Sequence, residues 1–293
     1  MRRFFITFVI FCCFWSCQKA EKNDGFSFVF ITDVHLMPER NANEGFLQAI
    51  DTINRLAPDF VISGGDQIMD GLKPEYTRVD SLFNLWDESA KRFNMPVYTT
   101  MGNHDIFGLY RNDIDSLNEN YGKKMYENRL AKRYYSFNHK HWHFIILDGN
   151  GIENDHSYYG YLDSVQVAWL MQDLEATGKN VPIVVCTHIP MLSVALEITG
   201  GPTTGLHKSS IINNSNEVRK ILEQYNVKMV LQGHLHFLED IYYNGIHYIT
   251  GGAVCANWWR GARYGMEEGF VRIDVSGEDF SWEYVDYGWE VKK

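Results

Sequence analysis

Asp, Asn and His side chains follow five apolar segments of this sequence, each at the point where the segment ends. The motifs are DVH at 33–35, GGD at 64–66, GNHD at 102–105, THIP at 187–190 and GHLH at 233–236. In open α/β sheets, ligand sites collect beyond the carboxyl ends of the strands. The spacing therefore predicts that five separate segments converge on one site.

The side-chain types in these motifs indicate what the site binds. Carboxylate, amide oxygen and imidazole suit divalent transition metals such as Mn, Fe and Zn. Seven candidate ligands are too many for one tetrahedral ion and suit two. Asp33 and His35 alternate along the chain, as do His234 and His236, and alternate residues of an extended segment reach the same side.

The elements that must position these residues alternate between apolar runs and helical patterns, which predicts an α/β fold. No internal repeat or linker is evident after residue 25, so one domain is expected. Strands are predicted at 26–32, 59–63, 96–100, 182–186 and 228–232, with a hairpin at 134–137 and 142–147. Helices are predicted at 42–56, 74–93, 163–177 and 215–224, with Asp163 and Ser215 as N-terminal caps.

The five motifs, in this order, resemble those of the calcineurin-like metallophosphoesterase family over residues 26 to about 250. The resemblance implies a four-layer αββα sandwich of two mixed β-sheets flanked by helices, covering 26–293. It also implies two divalent ions (Mn, Fe or Zn) with Asp66 bridging them. The first ion would be held by Asp33, His35, Asp66 and His236, and the second by Asp66, Asn103, His188 and His234.

The same resemblance assigns His104 and Asp105 to catalysis. His104 would lie over the phosphate without binding metal, and Asp105 would orient His104. The implied reaction is hydrolysis of a phosphomonoester or phosphodiester by a hydroxide that bridges the metals. The alternative is a non-catalytic protein that kept the fold and binds metal or phosphate. Met69 stands where purple acid phosphatases carry Tyr, so the pattern is more similar to class III cyclic-nucleotide phosphodiesterases and related diphosphatases.

A glycine-rich, aromatic segment at 251–270 follows the last motif. Arg suits phosphate or carboxylate recognition, and aromatic rings can stack on a base or sugar, so Trp258 and Arg260 are candidate substrate-binding residues. The alternative is a turn with both of its tryptophans packed in the core. His139, His141 and His143 are interpreted as one exposed face of a hairpin rather than a further metal site.

The composition limits the partners. A formal net charge of −10 argues against nonspecific nucleic-acid binding, which depends on clustered Lys and Arg. A phosphorylated small molecule is the expected substrate, attracted locally by the metals.

The first 25 residues read as a targeting segment. Arg2 and Arg3 precede an apolar run from 4 to 15 that leads to Cys17, and the run is too short for an ordinary membrane span. This resembles a bacterial lipoprotein signal over 1–17 with lipidation at Cys17, followed by a polar tether over 18–25. The expectation is an exported protein held on a membrane by its lipid, the alternative a secreted soluble one. Cys186 and Cys255 are expected to be free, buried thiols.

Overall fold

The structure, a computed structural model, describes residues 25–292. The predicted signal segment and Cys17 lie outside this range. Its strands are β1 (Phe26–Ile31), β2 (Phe60–Ser63), β3 (Val97–Thr99), β4 (Tyr135–His139), β5 (Trp142–Leu147), β6 (Asn150–Ile152), β7 (Tyr158–Gly160), β8 (Ile183–Thr187), β9 (Val227–Gln232), β10 (Leu238–Tyr243), β11 (Ile246–Gly251), β12 (Gly269–Ser276) and β13 (Asp279–Asp286). Its helices are α1 (Ala42–Leu56), α2 (Tyr76–Ala90), α3 (Lys124–Arg129), α4 (Ser164–Thr177), α5 (Ala195–Gly200) and α6 (Ser215–Leu222), with a short 3₁₀ helix at Asn103–Asp105.

Two large mixed sheets carry the fold. The first has the order β13-β12-β1-β2-β3. In it, β1, β2 and β3 are parallel, and β12 runs antiparallel to both of its neighbours, β1 and β13. The second has the order β10-β11-β9-β8-β5-β4, in which only the two edge strands run antiparallel to their neighbours. In both sheets the parallel strands present their carboxyl ends at one edge.

The two sheets pack face to face through an aromatic core. Phe28 and Phe60 of the first sheet stack with ring centroids 5.1 Å apart, and Phe144 of the second sheet meets Phe28 edge-on at 5.5 Å. All three are essentially inaccessible to solvent, and burying each stabilises the fold by roughly 1.5–3 kcal/mol. Helices α1 and α2 cover the outer face of the first sheet, and α4 and α6 that of the second. The predicted four-layer αββα sandwich is confirmed.

The helices follow from their apolar periodicity and caps. In α1, Phe46, Ile50 and Ile53 lie on one buried face, and its bounds match the prediction. The carboxylate of Asp163 accepts a 2.8 Å hydrogen bond from the backbone of Gln166 and caps α4 as predicted. The cap predicted at Ser215 is wrong, since Ser215 is already the first helical residue of α6.

The structure also differs from the interpretation of the three histidines between residues 139 and 143 as one exposed face. His139 ends β4, and His143 lies in the neighbouring strand β5. His143 is buried, and its ring contacts Asp173 at 2.8 Å and Asn138 at 2.6 Å. The prediction of one exposed face is therefore wrong for His143, because α4 covers this part of the sheet.

Two further sequence expectations concern thiols and membrane spans. Cys186 and Cys255 are free and buried, as predicted. Within residues 25–292, no helix combines the length and apolar character needed to cross a bilayer.

Candidate metal centre

The predicted ligands lie at the carboxyl ends of parallel strands from both sheets. Asp33 and His35 follow β1, Asp66 follows β2, His188 follows β8, and the GHLH motif follows β9. The first two loops run side by side, because Asp33 N donates to Gly65 O at 3.0 Å and His35 N donates to Asp66 O at 2.9 Å. The site therefore forms where the open ends of the two sheets meet.

The first predicted ligand set forms a compact group. Nε2 of His35 lies 3.1 Å from Nε2 of His236, and the latter lies 3.3 Å from Oδ1 of Asp33. Oδ2 of Asp66 is 3.5 Å from Nε2 of His35. Ligand atoms about 2.1 Å from one ion are separated from each other by ~3.0–3.4 Å. The four side chains thus have the spacing of ligands around a single cation.

The second predicted ligand set shares Asp66 with the first. Oδ2 of Asp66, the oxygen that faces His35, is also 3.2 Å from Nε2 of His188. Oδ1 of Asn103 lies 3.1 Å from the same Nε2. A nitrogen of His234 lies within 4.8 Å of the atoms that Asp66 and His188 offer. One carboxylate oxygen therefore stands between two ligand groups, which is the geometry of a bridging ligand.

The hydrogen bonds around the histidines fix which ring nitrogen faces the site. Nδ1 of His188 is 2.8 Å from Gly64 O, and Nδ1 of His236 is 2.6 Å from Ala256 O. A carbonyl only accepts, so each Nδ1 donates and each Nε2 directs a lone pair at the site. Lone pairs of imidazole nitrogens and carboxylate oxygens that converge without protons between them repel unless a cation lies among them. The donor set fits two divalent metal ions.

Burial and charge set the protonation of these side chains. Burial lowers the pKa of His35 and of His234 to about 3 each, so both rings are neutral. Burial alone would raise the pKa of Asp33, but the facing His236 holds it well below its usual range. Burial opposes charge on His188, yet the adjacent Asp66 raises its pKa to about 9, so a metal ion bound here would displace a proton from this ring. The carboxylates create a field that attracts positive charge at this point.

The backbone is strained at most of the predicted metal ligands. Five of the seven predicted ligands have left-handed backbones with φ between 46° and 72°: Asp33, His35, Asp66, His234 and His236. Such a conformation costs of order 1–3 kcal/mol per residue and persists only where the surroundings impose it. Gly102 is required for a different reason, because a Cβ there would lie 2.1 Å from both N and Oδ1 of Asp66.

The sequence profile of calcineurin-like phosphoesterases matches residues 26–238. The chain belongs to this family. It is 26% identical to a 3′,5′-cyclic-nucleotide phosphodiesterase of Nostoc sp. over 235 residues, which is 77% of each chain. It is 27% identical to a manganese-dependent ADP-ribose/CDP-alcohol diphosphatase of Arabidopsis thaliana over 261 residues, or 75% of this chain and 77% of the other.

Solved structures share the fold at lower identity. The crystal structure of a dimetal phosphatase from Danio rerio aligns with a TM-score of 0.64 and 14% identity, covering 90% of this chain and 99% of the other. This likeness supports the sandwich architecture of the phosphoesterase.

The two predicted catalytic residues lie beside the ligands but have different contacts from those expected. The ring of His104 is 4.8 Å from the ring of His35, and its Nδ1 faces Oδ1 of Asp70 at 3.7 Å. Asp105 is fully buried and accepts hydrogen bonds from the backbone N–H groups of Gly102, Asp66, Gln67 and Ile68. Asp70 is therefore the carboxylate that faces Nδ1 of His104, although Asp66 also offers an oxygen within 4.8 Å of a ring nitrogen of His104. Asp105 instead holds the loop that carries Asp66.

The aromatic segment after β11 divides between core and site. Trp259 is buried, and its indole N–H donates to Val34 O at 2.9 Å. The ring of Trp258 instead lies 4.6 Å from the ring of His236. Trp259 therefore packs in the core, whereas Trp258 lies beside a predicted metal ligand and its role in substrate binding stays a prediction.

The two arginines of this segment differ in their surroundings. Arg260 is exposed and is not among the residues that line the cavity next to His234, whereas Arg263 is. Sequence reasoning selected Arg260 because arginine suits phosphate or carboxylate recognition and the segment follows the GHLH motif. The segment turns back on itself at Arg263, where the backbones of Arg263 and Met266 exchange two hydrogen bonds.

Proposed function

We propose that this protein is a metal-dependent phosphoesterase that hydrolyses a phosphomonoester or phosphodiester of a small molecule. The observation that carries the proposal is Oδ2 of Asp66, which lies within 3.5 Å of histidines from both ligand sets. A single oxygen shared in this way is placed to bridge a pair of ions.

Two divalent ions, of Mn, Fe or Zn, would supply Lewis acidity toward the phosphate oxygens and a water nucleophile activated near neutral pH. The seven ligands fix the site in position before substrate arrives. His104 projects from the same edge, next to His35, and is therefore within reach of a phosphate that contacts the ligand cluster. Its imidazole is suited to stabilise charge on phosphoryl oxygens or to give a proton to the leaving oxygen.

The relatives indicate the range of substrates to test. Their names specify 3′,5′-cyclic nucleotides in one case and ADP-ribose or CDP-alcohols in the other. Because this chain carries a net charge of −10, an anionic substrate gains little from the overall field of the protein. The attraction must come from the metal centre and from cations close to it.

The test combines metal analysis with a substrate screen on the full-length protein loaded with Mn. We expect two ions per chain, and hydrolysis of phosphate esters that chelation abolishes and added metal restores. Asp66→Asn should lower occupancy of both sites, whereas Asp51→Asn, an exposed carboxylate on α1, should lower neither. Two bound ions with no hydrolysis of any ester would instead support the non-catalytic alternative. One ion per fully loaded chain would refute the dinuclear site.

A further inference from the structure

A small cavity opens directly beside the metal ligands. Its volume is about 190 Å³, and its lining includes His234, Trp258, Arg263, Tyr264, Thr199 and Ser210. Cavities that enclose a whole drug-sized ligand are typically ~300–1,000 Å³. This one is therefore sized for a single chemical group of the substrate rather than for a complete nucleoside.

Arg263 supplies the positive charge of this cavity. Its guanidinium lies 4.6 Å from the ring centroid of Trp258 and 5.1 Å from that of Tyr264. Stacking on aromatic faces leaves the N–H groups at the edge of the guanidinium plane free to bind a planar or tetrahedral anion. Among residues 25–292, no carboxylate lies within 4 Å of Arg263, although acids outnumber bases by 37 to 27 in the chain.

The segment that carries Arg263 is fixed to the metal centre. The indole N–H of Trp259 donates to the carbonyl oxygens of Val34 and His35, which flank the Cα atom of the predicted ligand His35. Arg40 donates to the carbonyl of Trp258 at 2.9 Å. The ring of Trp258 then spans the space between Arg263 and His236. The distance from the guanidinium to the metal ligands is thus set by packed side chains rather than by a free loop.

We propose that Arg263 binds a second anionic group of the substrate, a phosphate or carboxylate distinct from the phosphate held at the metal ligands. The inference rests on the proposed function and narrows its substrate class. A diphosphate, or a phosphate ester with a neighbouring carboxylate, provides the second group. A cyclic nucleotide, with one anionic group in total, does not. Arg263 is a specificity-determining residue in this scheme and takes no part in bond cleavage.

Binding of two matched probes to the full-length, Mn-loaded protein tests this directly by calorimetry. Methylphosphonate carries one anionic group, and phosphonoacetate carries the same phosphonate plus a carboxylate. Arg263→Met removes the charge and keeps an apolar stem against the two rings. It should weaken phosphonoacetate about 10- to 100-fold, the range expected for losing a charge-assisted hydrogen-bonded pair. Methylphosphonate should weaken by less than about threefold, as expected for a distant charge screened by solvent.

Arg260→Met is the comparison, because Arg260 belongs to the same segment and lies outside the cavity lining. A selective loss at Arg260 rather than Arg263 would overturn the assignment. So would equal weakening of both probes, or no binding of phosphonoacetate by the unaltered protein. Arg263→Gln repeats the test if the Met variant unfolds early in a thermal melt.

The substrate screen separates this inference from the proposed function. If the protein hydrolyses esters but Arg263→Met does not weaken phosphonoacetate selectively, only the role of Arg263 is refuted. If Arg263→Met weakens phosphonoacetate selectively but no ester is hydrolysed, the proposed activity is refuted. The site then binds two anionic groups without catalysis.

Discussion

Replacing Asp70 with Asn removes the carboxylate charge that lies 3.7 Å from Nδ1 of His104. The distance is too long for a direct hydrogen bond, so the interaction is electrostatic. Oδ1 of Asp70 also accepts a 2.9 Å hydrogen bond from Leu72 N, which an Asn oxygen can retain. The substitution therefore removes charge with little change in the loop. We expect fewer His104 rings to carry the proton that the leaving oxygen needs, because an imidazolium without its counter-charge is less stable.

The size of the effect follows from the distance and the exposure. Two unit charges 3.7 Å apart interact by about 1 kcal/mol in water and by about 4–5 kcal/mol at an effective dielectric of 20. The side chains of His104 and Asp70 are 28% and 32% exposed, so solvent screens much of the larger figure. We take ~1–2 kcal/mol, which corresponds to a roughly 5- to 30-fold lower rate of proton transfer.

The assay compares leaving groups. An alkoxide needs a proton to leave, whereas a nitrophenolate leaves readily without one. His104→Ala should slow alkyl phosphate esters on the order of 10²–10⁴-fold and nitrophenyl esters far less, with two metals still bound. Asp70→Asn should show the same pattern at the smaller magnitude. In the double variant, Asp70→Asn should add nothing to His104→Ala, because its effect passes through that ring.

Asp105→Asn is the informative control. Its carboxylate accepts four backbone hydrogen bonds around Asp66. An amide in its place faces at least one N–H with its own N–H group. We therefore expect lower metal occupancy and an equal loss on both classes of ester. The reasoning is refuted if Asp105→Asn, and not Asp70→Asn, shows the leaving-group dependence. An effect of Asp70→Asn that persists in the absence of His104 would refute it as well.

Two other predictions concern the backbone at the metal centre and the N-terminal segment. Gly102→Ala forces a methyl group against Asp66, which costs about 1–3 kcal/mol and should lower both stability and metal content. Gly205→Ala, where a Cβ meets no atom within 4 Å, should change neither, and an equal effect of both would contradict the close-approach argument. We also propose that the protein is exported and anchored through Cys17, so Cys17→Ala should shift it from the membrane to the soluble fraction of cells. Intact-mass analysis showing an unmodified Cys17 would exclude the anchor.

Local sequence patterns were sufficient to predict most helices and strands and to identify the loops that carry the predicted ligands. The apolar face of α1 and the cap at Asp163 are each encoded within a short stretch of sequence, so periodicity and capping rules find them. The five motifs each follow a strand, and parallel strands that end at one edge bring their carboxyl ends together. His143 was misjudged because its burial depends on α4, which lies across the sheet and far along the chain.

The partners of the site residues could not be predicted in this way, since they are long-range contacts between loops. Asp70 reaches His104 because Gly71 N donates to His104 O at 2.7 Å, a bond between two separate motifs. Arg263 rather than Arg260 lines the cavity because the segment turns back between Arg263 and Met266. Sequence spacing gives the residue types available in such a loop, but the direction of each side chain depends on bonds to loops elsewhere in the fold.

The GNHD motif shows how one short segment can serve three purposes. Asn103, His104 and Asp105 form a 3₁₀ helix, which has about three residues per turn, so consecutive side chains point ~120° apart. Asn103 faces the second ligand set, His104 faces Asp70 and the open edge of the site, and Asp105 points inward to the loop of Asp66. In a strand, where alternate side chains share a face, Asn103 and Asp105 would compete for the same direction. The tight turn is thus what allows a metal ligand, a residue that faces the substrate side and a loop anchor to occupy adjacent positions, and inserting one residue into it would separate all three functions at once.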